Sequence, residues 1–223
     1  MSSTNKSSYV VRYFPIPGLA EPIRILLTAA NVEWTEEHPE WPQKKSEQPH
    51  GRMPVLIEKD AEGEVETVIA ESTTILRYLA RKYGFIPADL KQAAYQEQIA
   101  DFFSDVSMGF HLKRYASKEK MEELNTRFVQ MLDKAIEVVT EGLHKNGDNG
   151  RLSGDKLSYV DIKAYNLIRH FCTDGATFDE ALPSLVSSKL TPEYSKLIAT
   201  VEADPLLNKY MEGKKSLVEI TSQ

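Results

Sequence analysis

The 223 residues read as a small α/β domain followed by an all-helical one. Three observations predict this. Over roughly the first 85 residues the hydrophobic period changes often, as it does in short strands and helices. The stretch GFIPADLK (84–91) couples a helix-stopping glycine to a stiffening proline. Beyond it no convincing strand pattern occurs, and apolar residues recur at helical spacing. The boundaries that follow are a disordered tail over 1–8, an α/β domain over 9–84, a linker over 85–91 and a helical domain over 92–223.

In chain order, YVVRYF alternates, with Val10, Arg12 and Phe14 on one face and Tyr9, Val11 and Tyr13 on the other. Pro22 suits a first helical turn, where its missing N–H costs nothing, and Ile23, Leu26, Leu27 and Ala30 follow at helical spacing. A second strand is expected in VEWTEEH. MPVLIEKD and VETVIAE, joined by AEGE, read as a hairpin. Ser72 is placed to cap a helix with the stripe Ile75, Leu76, Leu79 and Tyr83. In the second half, Ile99, Phe102, Phe103 and Val106 mark one long helix. Met121, Leu124, Phe128, Met131, Leu132, Ala135, Ile136 and Val139 mark another. Later helices are expected near Ser158, near Thr191 with Pro192, and near Asp204 with Pro205. LSYVDI carries a capping box, Ser158 with Asp161, and a hydrophobic staple between Leu157 and Ile162.

A composition of 41% hydrophobic and 27% charged residues is that of an ordinary soluble globular protein. No apolar run approaches the roughly 20 residues of a membrane span, and MSSTNKSS lacks the apolar core of a signal peptide. The single Cys172 excludes an intrachain disulfide, which suits a reducing cytosol, and its apolar surroundings predict an inert core thiol. A net charge of −6 argues against nucleic acid, because the densest basic stretch, KRYASKEK (113–120), runs straight into the acidic MEEL. The five histidines show no metal-ligand spacing, GRLSGDK (150–156) lacks the glycine spacing and ending of a phosphate loop, and no G-x-S-x-G elbow exists. The chain brings no metal cage and no obvious nucleophile of its own. A reactive group, if one is used, has to come from the ligand.

Three local features point to what that ligand is. Met53-Pro54 opens a strand, where backbone groups left unpaired could bond an extended peptide as an added strand would. Ser72 at a helix mouth offers an anion site, and Glu71 beside it an ammonium site, so together they suit an α-amino acid head group. Tyr13 ends the first strand and is followed at once by Pro15, Pro17 and Gly18.

Tyr-Phe at the end of the first strand, the Met-Pro before the third, the Glu-Ser at the helix mouth and the Ser-x-x-Asp box in a helical second half occur in one order. In that order they resemble the cytosolic glutathione transferases over nearly the whole chain, from about Ser8 to Met211. WPQKKSEQPHGRMP, with Trp41 thirteen residues before Pro54, resembles the sigma class most closely. The resemblance implies a thioredoxin-like first domain and the glutathione transferase fold. It also implies a cytoplasmic homodimer that uses glutathione as co-substrate, with no metal.

In tyrosine-type members the hydroxyl at this position donates to the sulfur of bound glutathione, which makes Tyr13 the catalytic residue. A free thiol titrates near ~8.5, and a donor that bonds the thiolate better than the thiol lowers that value, at about 1.4 kcal/mol per unit. The same carry-over assigns Trp41, Lys45 and Arg52 to the glycine end of the tripeptide and Met53 with Pro54 to its cysteinyl unit. Glu71 and Ser72 fall to the γ-glutamyl head, and Asp105, with Asp101 as the runner-up, to the head group bound by the neighbouring subunit. A pocket for a hydrophobic electrophile is expected near Phe14, Met108, Phe110, His111 and Tyr115. Two departures stand out. Sigma-like relatives often carry Gln-Ser where this chain has Glu71-Ser72, and an arginine where this chain has Leu19. Arg24 and Arg12 are the available replacements, and strand alternation turns Arg12 away from Tyr13. Alternative readings are a glutathione-dependent isomerase like the prostaglandin D synthases, or a non-catalytic carrier or lens-crystallin relative. A thioredoxin-type oxidoreductase is excluded, because it needs a cysteine where Tyr13 stands.

Overall fold

The computed structural model describes residues 7–114, 116–173, 175–177 and 179–221. The chain divides into two compact units with the boundary between Tyr83 and Gly84, where a left-handed glycine (φ +76°) ends a helix.

The first unit is a four-stranded mixed sheet. Its strands are β1 (Ser8–Arg12), β2 (Trp34–Glu37), β3 (Val55–Lys59) and β4 (Val65–Ala70), in the order β2-β1-β3-β4. β1 runs parallel to β2 and antiparallel to β3, and β3 and β4 form the expected antiparallel hairpin. Ser8, expected at the end of a tail, opens β1 by pairing with Lys59; residues 1–6 of that tail lie outside the described residues. Helix α1 (Glu21–Ala29) carries Pro22 in its first turn and buries Ile23, Leu26 and Leu27, as their spacing predicts. Helix α2 (Ser72–Tyr83) buries Ile75, Leu76 and Leu79. Ser72 is its first residue and not its cap. Only Glu71 separates β4 from α2, so Glu71 itself must reverse the chain. It does so at φ +69°, and its carbonyl accepts the first helical bond from Ile75 N–H at 2.9 Å.

The face of the sheet that carries Tyr9 and its cross-strand partner Glu58 meets α2, which brings Tyr78, Lys82 and Tyr83. Glu58 is 2% exposed and accepts from the Tyr78 hydroxyl at 2.5 Å, from the Tyr9 hydroxyl at 3.3 Å and from the Lys82 ammonium. Burial pushes its pKa up, but the Lys82 and Tyr78 bonds outweigh burial and hold it below the ordinary value. Burial also pushes the Tyr9 hydroxyl up to about 12.

The second unit is helical. Phe85 and Ile86, expected in a linker, are buried in it, and the Phe85 carbonyl accepts from Tyr159 N–H at 2.9 Å. Two long helices, α3 (Leu90–Arg114) and α4 (Lys118–Lys145), pack side by side. Helix α5 (Tyr159–Cys172) is buried along most of its length against α3, α6 (Leu182–Ser187), α7 (Pro192–Glu202) and α9 (Leu217–Thr221), with α8 (Asn208–Met211) following the Asp204 turn. The three expected helix starts are capped as their sequences predict. The Thr191 side chain accepts from Tyr194 N–H, and that of Asp204 from Leu206 N–H. At the start of α5, Asp161 is wholly buried and accepts from Ser158 N–H (2.9 Å), Ser158 Oγ (2.7 Å) and Leu152 N–H (2.8 Å), while Asp161 N–H returns a bond to Ser158 Oγ. Burial pushes the Asp161 carboxyl up against these donors. Among the described residues no helix is long and apolar enough to cross a membrane.

Two outcomes follow for stability. Asp161→Ala strands the Leu152 and Ser158 amides in the interior; at about 1–3 kcal/mol per orphaned group, urea unfolding should show a loss of roughly 2–4 kcal/mol. A carboxyl whose folded pKa is depressed contributes stability that is present above its unfolded value and lost as the pH falls through the folded one. Unfolding followed from pH 5 to pH 2 should therefore show a steeper loss in the wild type than in Glu58→Gln, and the variant should be less stable at pH 7 by about 1–3 kcal/mol.

Candidate active site

Tyr13 follows the last residue of β1, the strand held on both sides by β2 and β3. Its N–H continues the ladder to the Glu37 carbonyl at 3.1 Å, and its own carbonyl lies 3.0 Å from His38 Nδ1, a contact in which the ring N–H donates. The side chain is 6% exposed. The loop from Phe14 to Leu19 then turns back over it. Gly18 sits at φ +46°, and a Cβ there would stand 2.7 Å from Tyr13 Oη. Glycine is required on both counts, by backbone conformation and by space. With that turn made, the Leu19 N–H donates to Tyr13 Oη at 3.1 Å. A hydroxyl that accepts from an amide is polarised, so its own O–H becomes the stronger donor.

Arg24 and Arg12 have different roles. The Arg24 guanidinium stands 6.0 Å from the centre of the Tyr13 ring and donates to the carbonyls of Ile16 and Pro17, both at 3.0 Å. Arg12 pairs with Glu37 at 2.6 Å.

Around this anchor the first unit gathers several of the expected residues. The Phe14 ring meets the Tyr13 ring edge to face at 5.4 Å and the Trp41 ring at 5.5 Å. The Lys45 ammonium lies 5.9 Å from the centre of the Trp41 ring, and its side chain runs beside Gly51. Arg52 is exposed, Met53 half-buried and Pro54 buried, and the Met53–Pro54 bond is cis, as is Trp41–Pro42. Glu71 is exposed and lies 3.5 Å from His50, and Ser72 is half-buried at the first turn of α2.

In the second unit, Asp105, Met108, Leu112, Leu124, Arg127 and Met131 line a cavity of about 320 Å³ between α3 and α4. Met108 is 53% exposed and suits a pocket wall. Phe110 does not. It is 1% exposed because its side of α3 faces α4 and α5, where its ring packs on Phe128 at 5.5 Å and Phe171 at 5.1 Å. His111 is half-buried with its ring 5.4 Å from that of His170. Tyr115 lies outside the described residues.

The family model of the glutathione S-transferase N-terminal domain matches residues 9–81, and that of the C-terminal domain matches residues 94–214. A class-mu 28 kDa glutathione S-transferase isozyme of Schistosoma japonicum is 33% identical over 167 residues, 71% of this chain and 78% of that one. The chain belongs to the glutathione S-transferase family. The transferase is also 26% identical to S-crystallin 2 of Octopus vulgaris over 200 residues, 80% of this chain and 87% of that one. Among solved structures, a Caenorhabditis elegans glutathione S-transferase superposes with a TM-score of 0.73 at 25% identity, covering 94% of this chain and 99% of that one.

Two contributors to the site were not assigned from the sequence. His38 gave no spacing signal, because its partner is a backbone carbonyl one strand away. The Leu19 position drew notice only for its side chain, whereas its amide makes the contact. Gly18→Ala in the transferase should lose about 1–3 kcal/mol of stability through the left-handed conformation alone. It should also displace the Tyr13 hydroxyl and reduce turnover at least tenfold, measured by thermal unfolding and a conjugation assay on the same preparation.

Proposed function

We propose that this glutathione transferase is of the tyrosine type, activating the thiol of glutathione through Tyr13 and adding it to hydrophobic electrophiles. The observation that carries the reading is the Leu19 N–H donated to Tyr13 Oη, which readies that hydroxyl to donate to an anion. The hydroxyl proton bonds the sulfur more strongly as thiolate than as thiol, so the thiol pKa falls and the nucleophilic fraction at neutral pH rises. The thiolate lone pair then forms a C–S bond at the electrophilic carbon. A leaving group departs with its bonding pair, or in an addition a proton completes the product.

In this reading the tripeptide lies along the first unit. Trp41, Lys45 and Arg52 take its glycine carboxylate, the Met53 backbone beside Pro54 takes its cysteinyl amide, and Glu71 with Ser72 takes the γ-glutamyl ammonium and carboxylate. The positive end of α2 favours that carboxylate. Phe14, at the Tyr13–Trp41 ring stack, suits the approach of a hydrophobic electrophile. A cytoplasmic homodimer, in which Asp105 reaches the head group bound by its partner, and a sigma-like class complete the proposal. Likeness to an S-crystallin keeps a non-catalytic reading in view, and the same experiment separates the two.

That experiment is an ultraviolet difference titration of bound glutathione in the wild type and in Tyr13→Phe. A thiol pKa at least about one unit below the free value of ~8.5, and a return toward it in the variant, is the expected result. Tight binding with an unshifted thiol in the wild type would make the protein a glutathione binder without this chemistry.

A further inference from the structure

The loop that covers Tyr13 is poor in donors of its own. Pro15 and Pro17 have no N–H. Arg24, three residues into α1 from Glu21, supplies what the loop lacks. One terminal nitrogen of its guanidinium donates to the Ile16 carbonyl and the Pro17 carbonyl at 3.0 Å each and to Glu21 Oε2 at 2.9 Å. Its Nε donates to Glu36 on β2. The side chain is only 12% exposed, and its carbon lies 6.0 Å from the centre of the Tyr13 ring. The Pro17 carbonyl belongs to the peptide unit whose nitrogen is that of Gly18. Fixing that unit fixes the plane from which Gly18, at φ +46°, swings the Leu19 N–H onto the hydroxyl.

We infer that Arg24 is a positioning residue for the reaction: it clamps the 16–17 carbonyls so that the Leu19 amide is held on Tyr13 Oη, and it sets a positive charge beside the ring. The inference rests on the reading of Tyr13 as the thiolate donor. Lysine is no substitute, because its ammonium ends one bond short of the terminal nitrogen that holds the Ile16 and Pro17 carbonyls and Glu21, and it has no second nitrogen for Glu36. The charged and titratable groups that face the guanidinium are Glu21 on its own helix, Glu36 on β2 and the Tyr13 ring, with His38 standing 3.8 Å from Glu36. Burial works against the charge on Arg24, but Glu36 and Glu21 outweigh it and keep the guanidinium protonated.

The test compares Arg24→Met and Arg24→Lys with Glu36→Gln, which weakens the ion pairing and leaves the carbonyl clamp in place. Arg24→Lys covers the case in which Arg24→Met does not fold. The first readout is the titration of the Tyr13 hydroxyl in the ligand-free protein, followed by the ring-carbon resonance next to the oxygen and assigned with Tyr13→Phe. The second is the pKa of bound glutathione, with kcat and KM for glutathione measured across pH. Both Arg24 variants should raise the Tyr13 pKa and the glutathione thiol pKa by about one unit, a tenfold loss of thiolate at neutral pH. They should lower kcat about tenfold with KM changed less than threefold, recovering at high pH, whereas Glu36→Gln should leave all of these within twofold. An unchanged Tyr13 titration in the Arg24 variants overturns the inference whatever happens to thermal stability. A shifted Tyr13 titration with a thiol pKa that never responds would uphold the positioning of Tyr13 by Arg24 and overturn the assignment of Tyr13 to the thiol.

Discussion

The Tyr13 side chain is held from both ends, and the first unit is organised around that double hold. The backbone end of Tyr13 is tied into the sheet through Glu37 and His38, and β1 is flanked on both edges. The hydroxyl end is tied by an amide that reaches it only because Gly18 can be left-handed and has no side chain. Between the two ends, the Phe14 and Trp41 rings close one side and the Arg24 guanidinium lies over the ring. Each tie comes from a different segment of chain, so β1, the loop, α1 and β2 must all be in place before the hydroxyl is.

Buried charge is handled in two ways that illustrate the same economy. Glu58 has the Lys82 ammonium and the Tyr78 hydroxyl converging on it from α2 and the Tyr9 hydroxyl from β1, so its ionised form is favoured inside the sheet-helix interface. Asp161 accepts from two amides and a hydroxyl at the start of a helix. The first carboxylate fastens a helix to a sheet, and the second fastens a loop to a helix. Both are committed by hydrogen bonds within the fold.

What the sequence revealed was local. The Ser158, Thr191 and Asp204 caps depend on residues three or fewer positions apart, and Pro22 and the hairpin on neighbours, so their signals survive without tertiary context. Helices α6 and α9, at six and five residues, are too short for an apolar period to emerge. The cap of α2 was misplaced by one residue because the single-residue link through Glu71 is a property of the sheet's end, and nothing in the letters marks it. In the site, Tyr13, Trp41 and Lys45 come together because their order along the chain carries their geometry. Phe110 shows the opposite: its aromatic character was legible, but the side of α3 that faces α4 and α5 was not, in a helix of 25 residues with little polarity contrast around its circumference. Arg24 was legible only as a candidate replacement for the arginine absent at position 19; its actual partners are two loop carbonyls and carboxylates on α1 and β2, a set that no spacing rule encodes.

The donor on Tyr13 is a main-chain group, and every residue except proline carries one. Position 19 is therefore open to drift: a lineage can exchange its side chain for leucine, arginine or another residue and keep the hydroxyl bonded, provided the neighbouring glycine is preserved. The constraint on this loop lies on Gly18 and on the shape of the turn. Ile16, 48% exposed, and Leu19 form the part of the rim whose side chains selection can revise without breaking the hydrogen bond beneath it.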